Sequence, residues 1–332
     1  MRRLPPEWQK QRAVLMAFPH KNSDWNNNLK SALVPFIRIA QAIAYAEPVY
    51  IVCDNKDDIS ELFCSTRNMS FIEIPSNDTW IRDFGYISIE EDEEVKLLDF
   101  TFDAWGGKFE STLDNDVNIA LHQKGYMGVT PLESIDFVLE GGSIESDGQG
   151  TILTTTKCLC HSNRNGGLAK DEVEKKFQEY FGIKRVLWLD YGYLAGDDTD
   201  SHIDTLARFV SVDTIVYVQC LDKEDEHYLE LKKMEEQLQS FRTFENKAYI
   251  LVPLPLPSAK YDKDKNRLPA TYANFLISNG ALIYPIYSVK EDKEVHKIFK
   301  ALYEDKELIP IECSRLIEEG GSLHCSTMQI PL

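Results

Sequence analysis

Apolar residues recur along this chain at two spacings, helical and strand-like, and stretches of the two kinds alternate throughout. Leu29–Ala46 carries apolar side chains at helical spacing, Pro48 stops that pattern, and Val49–Cys53 follows as a buried strand. Further helices are predicted at Lys56–Thr66, Leu113–Lys124, Leu168–Phe181, Glu226–Phe241 and Glu291–Tyr303. The pattern therefore predicts an α/β chain.

Strands outnumber helices in this pattern. They are predicted at Ser70–Ile74, Gly85–Ile89, Val95–Phe100, Thr151–Thr155, Val186–Leu189, Ile203–Val210, Ile215–Gln219, Ala248–Val252, Ala281–Pro285 and Ser322–Thr327. The alternating Pro and Leu residues of Pro253–Pro257 predict an extended surface loop. No Ser-, Gly- or Pro-rich linker divides the chain, so we expect a single domain over residues 1–332.

Composition excludes a disordered chain, because 43% of the residues are hydrophobic and only 27% are charged. Asp and Glu number 54 against 36 Lys and Arg, which gives a formal net charge of −18. Such a field repels phosphate backbones and attracts small cations, so nucleic acid is not expected as a partner. Solubility alone is the alternative explanation of this charge.

The seven cysteines are scattered, odd in number and never spaced as Cys-x-x-Cys, which predicts reduced thiols and no zinc knuckle. Cys158 and Cys160, followed by His161, are better explained as small buried residues than as metal ligands. No run of 18 apolar residues occurs, so no membrane span is predicted. The N-terminus lacks the apolar region of a signal peptide, so we expect a cytoplasmic protein.

A short segment occurs twice in the chain. Glu140–Ser146 and Glu319–Cys325 are identical at four of seven positions, and Ile144 matches Leu323 as a fifth similar pair. Repeats of this kind indicate one supersecondary unit used more than once, often around an axis. Equivalent turns in a circular array point at one centre, where Glu140 and Cys325 would meet.

An acidic segment, residues 196–204, contains the first candidate catalytic residues. His202 and Asp204 are two residues apart on the predicted strand, so their side chains would project from the same face. Histidine suits proton transfer near neutral pH, and a carboxylate suits holding a cation. The alternative is an acidic loop in which His202 is simply solvated.

Cys325 is a candidate nucleophile that would pair with His202, although 123 residues separate them. His324 is a poor candidate for the base, because adjacent side chains on a strand point to opposite faces. A buried structural cysteine is the alternative explanation of Cys325.

Two further carboxylates stand in unusual settings. Asp83 follows Trp80 closely in the sequence. The Asp83 carboxylate could accept hydrogen bonds from a planar cation, and the Trp80 ring could lie against the π face of that cation. A local surface pair between Arg82 and Asp83 is the alternative. Glu140 follows the apolar Phe137–Leu139, and a carboxylate at the end of a buried strand needs a partner, for which His202 is the candidate.

Together these motifs resemble the agmatine deiminase family of peptidylarginine-deiminase-like, guanidine-modifying enzymes. The resemblance spans nearly the whole chain in the family's order. It rests on Trp-x-Arg-Asp-x-Gly at 80–85, Glu-Gly-Gly-Ser-Ile at 140–144, Asp-x-Thr-Asp-x-His-x-Asp at 197–204, Ala-x-x-x-Asn-Phe at 270–275 and Gly-Gly-x-x-His-Cys-x-Thr at 320–327.

The resemblance implies a five-bladed α/β propeller with its site on the central axis, no metal, no cofactor, and assembly as a homodimer or larger. It implies hydrolysis of a guanidinium to a ureido group and ammonia. The implied roles are nucleophile for Cys325, general acid/base for His202, orientation of His202 for Glu140, guanidinium clamp for Asp83 and Asp204, and pocket wall for Trp80. The substrate cation and a charged His202 are expected to lower the pKa of Cys325.

The chain departs from the family pattern at Asp198, where Glu is expected, and at 319–322, where Gly-Gly-Gly-Asn is expected. These departures concern the tail of the substrate. Asp197, Asp198 and Asp200 suit an ammonium tail, so agmatine is the expected substrate, with Asp198 as its tail partner. Arginine, peptidyl-arginine or amidino transfer on the same residues, and a catalytically idle guanidine-binding member, are the alternatives. An unrelated cysteine amidase would instead need oxyanion-hole donors.

Overall fold

The strands of this protein are divided among five small sheets of three or four strands each. The computed structural model describes residues 1–332. In chain order the strands and α-helices are β1 Arg2–Arg3, β2 Gln11–Ala17, α1 Leu29–Ala46, β3 Val49–Cys53, α2 Lys56–Ser60, β4 Met69–Glu73, α3 Ile81–Phe84, β5 Ile87–Glu91, β6 Glu94–Thr101, α4 Ala104–Gly107, α5 Thr112–Gln123, β7 Leu132–Val138, β8 Ile144–Ser146, β9 Thr151–Thr155, α6 Thr156–Leu159, α7 Lys170–Phe181, β10 Arg185–Leu189, β11 Ala207–Ser211, β12 Thr214–Gln219, α8 Tyr228–Ser240, β13 Ile250–Pro255, β14 Leu276–Ile277, β15 Ala281–Ile286, α9 Asp292–Leu302, β16 Glu307–Glu312 and β17 Met328–Pro331.

The same ββαβ unit builds all five sheets. Each unit pairs two strands antiparallel and then adds a parallel strand after a helix, as in β8–β9 followed by α7 and β10. The equivalent units are β5–β6–β7, β11–β12–β13 and β14–β15–β16. Five such units confirm the predicted five-bladed α/β propeller.

The fifth unit joins the two ends of the described chain. Strand β17 lies antiparallel to β2, with Met328 opposite Leu15, and β2 continues in parallel to β3 and β4. The N-terminal strand β1 pairs with β5 of the next sheet. Pairing of β17 with β2 therefore closes the ring of units.

Segments just before the first strand of each unit carry the candidate residues. Asp83 precedes β5, Glu140 precedes β8, Asp204 precedes β11 and Cys325 precedes β17. Short helical turns shape several of these segments, including 3-10 turns at Gly141–Ser143, Ile203–Thr205 and Leu316–Glu319. A pseudo-symmetric ring thus delivers side chains that are distant in sequence to one central place.

Helix α1 shows how the sequence pattern becomes core. Its apolar stripe buries Phe36, Ile39 and Ile43 completely. The Phe36 ring packs edge-on against Phe18 and Trp25, and full burial of such a side chain contributes about 1.5–3 kcal/mol. The buried apolar side chains form one cluster of 88 residues. None of the nine helices combines the length and apolar character needed to cross a bilayer.

Two predicted strands are wrong where the site is built. Residues predicted as the strand Ile203–Val210 begin with a 3-10 turn, and strand β11 starts only at Ala207. The predicted strand Ser322–Thr327 is a turn, and β17 starts at Met328. In both cases local hydrogen bonds favour the turn, such as Thr205 Oγ1 donating to the His202 carbonyl and Ser326 Oγ to the Leu323 carbonyl.

Other differences concern element ends. The predicted helix Lys56–Thr66 stops at Ser60. The Pro-Leu segment predicted as a surface loop instead continues strand β13 through Pro255, and it lies parallel to β12. The strands that were not predicted include β1, β2, β8, β14 and β16.

Candidate active site

Cys325 lies in the turn before β17 and is 7% exposed. Its Sγ lies 3.3 Å from Asn274 Nδ2 and 3.9 Å from Asp204 Oδ2. Burial, followed by the carboxylates of Asp204 and Asp83, raises the pKa of the Cys325 thiol well above its usual range. The free protein therefore holds a protonated thiol beside two acids.

Asp83 is fixed by donors from two other segments. Its Oδ1 accepts a hydrogen bond from the Gly142 amide at 2.9 Å, and its Oδ2 accepts one from Trp105 Nε1 at 2.9 Å. Burial and the nearby Asp204 carboxylate raise the pKa of Asp83 well above its usual range. A cation beside Asp83 would favour its ionised form and lower that pKa again.

Asp204 is completely buried. Its Oδ2 accepts hydrogen bonds from His324 Nδ1 at 2.7 Å and from Asn274 Nδ2 at 3.2 Å, whereas Oδ1 has no partner in the protein. Burial acts to raise the pKa of Asp204, but the His324 hydrogen bond and neighbouring positive charge outweigh it and lower that pKa. One oxygen is thus held in place and the other is left to accept a hydrogen bond.

His202 meets Asp83 at a distance of 3.6 Å between Nδ1 and Oδ1. Burial lowers the pKa of His202 to about 3, so the ring is neutral near pH 7. The ring and Asp204 do converge as predicted, but through the 3-10 turn rather than through strand alternation.

Glu140 is completely buried, and its partner differs from the predicted one. Its Oε1 accepts a 2.7 Å hydrogen bond from Arg164 Nε, while Oε2 has no partner. Polar atoms of Glu140, His202 and Cys158 lie within 4.8 Å of one another, the one set in this protein that could hold a metal ion. Glu140 therefore lies near His202 while being paired with Arg164.

The Gly pairs of the repeated segment allow close approach. A Cβ on Gly142 would lie 2.8 Å from both Asp83 Oδ1 and His202 Nδ1, and a Cβ on Gly321 would lie 2.5 Å from the Trp80 ring. The backbone at Gly142 thus fills the space between the candidate catalytic side chains, and Gly321 lies against the Trp80 ring.

A cavity of about 280 Å³ leads to Cys325 and Asp83, and Trp80 lines it as predicted. Trp105 and Phe109 add further aromatic lining. Its acidic lining residues are Asp24, Asp78, Asp83, Asp198, Asp262, Glu318 and Glu319, against the single basic residue Arg267. The cavity therefore favours a cation along its whole length.

Three of the four acids in the 196–204 segment, those that precede His202, have different tasks. Asp197 caps its own loop by accepting from the amides of Thr199 and Ser201. Asp200 pairs with Arg164 at 2.6 Å and with Lys108 at 3.0 Å. Of these three, only Asp198, the expected tail partner, lines the cavity, and Asp197 and Asp200 do not. Burial and the adjacent Asp197 raise the pKa of Asp198 to about 6.

Sequence reasoning missed several residues of the site. Asn274 lies inside the matched segment 270–275 but received no role, and Trp105 and Arg164 carry no motif at all. Each of the three hydrogen-bonds a candidate catalytic side chain. Only the position of Asn274 just before an apolar stretch could have signalled it.

Comparisons with known proteins agree with this geometry. The sequence model of the family described as Porphyromonas-type peptidyl-arginine deiminase matches residues 3–331. Agmatine deiminase of Pseudomonas aeruginosa (strain LESB58) is 30% identical over 352 residues, covering 99% of this chain and 95% of the relative.

Two solved structures are also similar. A cysteine-to-serine variant of C. jejuni agmatine deiminase with substrate bound has a TM-score of 0.94 and 40% identity, covering 99% of this chain and 96% of that one. Agmatine deiminase of Enterococcus faecalis has a TM-score of 0.91 and 26% identity, with the same coverage of both chains.

Replacing Gly142 with Ala should disrupt the site while leaving the fold intact. The added Cβ must displace Asp83 and His202, and a misplacement of this size costs about 100-fold in turnover. We expect kcat/KM with a guanidine substrate to fall by about that factor. Gly280→Ala is the control, because its Cβ would approach only Ala46. Wild-type kcat/KM in Gly142→Ala would contradict the assigned geometry.

Replacing Arg164 with Gln should destabilise the protein. It leaves Glu140 as a buried carboxylate without its cation, which costs about 3–5 kcal/mol. Urea denaturation measures the free energy of unfolding. Lys108→Gln is the matched control, since it also loses a pair with Asp200 but is partly exposed and should cost under about 1 kcal/mol. Equal free energies of unfolding for the two variants would show that the Glu140–Arg164 pair stabilises the protein no more than the partly exposed pair does.

Proposed function

The chain belongs to the Porphyromonas-type peptidyl-arginine deiminase family, and from this premise we propose that it is an agmatine deiminase. Such an enzyme hydrolyses the guanidinium of agmatine to N-carbamoylputrescine and ammonia, a step toward putrescine. The observation that carries the proposal is the pair of buried carboxylates, Asp83 and Asp204, beside the Cys325 thiol. Asp83 and Cys325 both line the acidic cavity.

Binding of the guanidinium relies on the two carboxylates. Asp204 Oδ1 has no partner within the protein, so it can accept an N–H from the substrate. Paired charge-assisted hydrogen bonds to Asp83 and Asp204 hold the planar cation and fix its carbon near Cys325 Sγ. Trp105 and Asn274 support this clamp by holding the two carboxylates in position.

Activation of the thiol follows from the arrival of the substrate. The positive guanidinium offsets the two carboxylates that raise the pKa of Cys325, so the thiolate becomes accessible. His202 is neutral in the free protein. A charged His202 therefore does not lower the pKa of Cys325 before the substrate binds, contrary to the prediction. The neutral ring instead serves as the acceptor of a proton.

The chemistry then proceeds through a covalent intermediate. The Cys325 thiol passes its proton to His202, and the thiolate attacks the guanidinium carbon. His202 then gives that proton to the departing nitrogen, which leaves as ammonia when the C–N bond breaks. Neutral His202 next takes a proton from water, which attacks the carbon and displaces Cys325. Glu140, through its unpaired oxygen, is placed to stabilise the charged form of the His202 ring.

The acidic cavity favours agmatine over arginine. An arginine carboxylate would need a free cation, but the only basic side chain of the cavity, Arg267, is paired with Asp225 at 2.8 Å. An ammonium tail instead meets Asp198 on the cavity wall. The field of the −18 net charge further attracts a doubly cationic substrate.

Several expectations stay predictions. They are the single domain over residues 1–332, the homodimer or larger assembly, the cytoplasmic location and independence from metals and cofactors. The proposed chemistry needs no Lewis acid, because the substrate supplies its own positive charge.

An assay of three guanidines tests the proposed reaction. We expect a ureido product from agmatine, with much lower kcat/KM for free arginine and for a blocked arginine peptide. Cys325→Ala should still bind agmatine but show no turnover, and mass spectrometry should find the substrate adduct on Cys325 alone. A preference for arginine or the peptide, or turnover by Cys325→Ala, would contradict the proposal.

Asp198→Asn tests recognition of the tail. We expect a higher KM for agmatine with little change in kcat, because binding that is equal in ground and transition states is lost. A lost charged contact of this kind costs about 1.5–3 kcal/mol. With butylguanidine, whose tail is neutral, the same substitution should have little effect. Asp171→Asn, a change of equal charge on an exposed helix, is the control. Equal penalties for both substrates would remove Asp198 from this role.

A further inference from the structure

His324, the neighbour of the nucleophile, lies between two carboxylates. Its Nδ1 is 2.7 Å from Asp204 Oδ2, and its Nε2 is 2.6 Å from Glu7 Oε2. All three side chains are buried. Glu7 comes from the N-terminal segment between β1 and β2, which carries it into the interior of the ring.

Two contacts this short need two protons. A neutral imidazole has one N–H and one lone pair, and a lone pair facing a carboxylate oxygen at 2.6 Å is repulsive. The second proton must therefore be on Glu7, on Asp204 or on the ring.

Glu7 is a poor place for that proton. Its Oε2 also accepts a 2.8 Å hydrogen bond from Arg208 Nη2, and its Oε1 accepts from the Ile277 amide at 2.8 Å. Burial acts to raise the pKa of Glu7, but Arg208 and His324 outweigh it and lower that pKa below its usual range. Asp204 also has a lowered pKa. Independently of His324, Glu7 accepts hydrogen bonds from Arg208 and Ile277, and Asp204 accepts one from Asn274, so the geometry favours two ionised carboxylates and places the second proton on the ring of His324.

Groups on every neighbouring element act on His324. Burial, Arg208 and Arg82 act to lower the pKa of His324, and they outweigh Glu7 and the Asp204 hydrogen bond, which act to raise it, so charge and burial alone favour the neutral ring. Arg208 is also paired with Glu145, whose pKa burial raises to about 7. The two short contacts decide between these opposing effects, since only the doubly protonated ring satisfies both.

We propose that Glu7 and His324 are positioning residues for Asp204: Glu7 holds a second proton on the His324 ring, and the resulting imidazolium fixes Asp204 Oδ2 and sets a positive charge beside Cys325. The inference deepens the proposed function and rests on it for the role of Asp204. The imidazolium and Asn274 hold Asp204 Oδ2, while Oδ1 has no partner in the protein and is left to accept a hydrogen bond from the substrate.

Nitrogen NMR of the histidine rings tests the protonation state directly and needs no substrate. In protein labelled with ¹⁵N-histidine, His324 should show two protonated ring nitrogens at pH 7. The signal is assigned by its loss in His324→Gln. A ring with one protonated nitrogen at pH 7 would overturn the proposal.

Glu7→Gln tests the consequence for the thiol. Without the Glu7 charge, His324 should lose its second proton at lower pH, and the thiolate of Cys325 should lose a neighbouring cation. Alkylation of Cys325 by iodoacetamide, followed by peptide mass spectrometry, should slow by about tenfold at a given pH, which corresponds to one pKa unit. The pH range over which kcat/KM is high should also become narrower, because the pKa of Cys325 is raised.

A merely structural role predicts the opposite sign. If His324 did not respond, removal of a negative charge would favour the thiolate and speed alkylation. Glu145→Gln is the matched control: it removes a carboxylate from the same Arg208 without contacting His324, so alkylation should be unchanged or faster. Faster alkylation in Glu7→Gln would overturn the proposal.

Should Glu7→Gln not fold, the ring spectrum of the wild-type protein still shows whether His324 carries two protons. Because neither alkylation nor NMR uses agmatine, a failure here is distinct from a failure of the proposed reaction.

Discussion

Two carboxylates buried without a cation between them govern this site. Asp83 and Asp204 are both removed from water, and each raises the pKa of the Cys325 thiol. In the free protein Asp83 has no cationic partner, and the only basic side chain hydrogen-bonded to Asp204 is the ring of His324. In the proposed reaction, a guanidinium supplies the positive charge that Asp83 lacks and in the same event makes the thiol reactive, so recognition and activation become one step. Solvent cations are poor substitutes, because a plane of N–H donors is needed to satisfy both acids.

The rest of the buried charge is compensated within the protein. Arg164 neutralises Glu140 and Asp200, and Arg208 serves Glu7 and Glu145. These pairs leave Asp83 without a cationic partner, whereas Asp204 has only the ring of His324 as a basic partner. The ring of ββαβ units allows the paired acids to lie apart from the central ones. Each unit brings a short segment to the centre while its helix stays outside.

The sequence predicted the residues of the site better than their local structure. Cys325, Asp83 and Asp204 cluster as expected, because the matched motifs fix their identities. The strands predicted around His202 and Cys325 were wrong, since the apolar residues there are buried by turns at the ring centre rather than by a sheet. Periodicity cannot distinguish these two kinds of burial over six residues.

The partners of the predicted residues were the hardest to foresee. Arg164 reaches the site from a loop, Trp105 from the short helix α4 and Glu7 from the N-terminal segment. Their roles depend on long-range contacts that no local pattern encodes. The pairing of Glu140 with Arg164 instead of His202 is one example. Helices such as α1 and α7 were predicted nearly to their ends, because a single amphipathic stripe determines each of them.

Closure of the ring by β17 and β2 has a consequence for how the protein is made. Strand β17 joins residues from opposite ends of the described chain, a pairing of very high contact order. Cys325 lies just ahead of that strand, so the nucleophile reaches its acids only when the last unit docks. During synthesis the other four units can form around an incomplete centre. The thiol therefore becomes reactive only at the end of folding, when the ring of units closes around it.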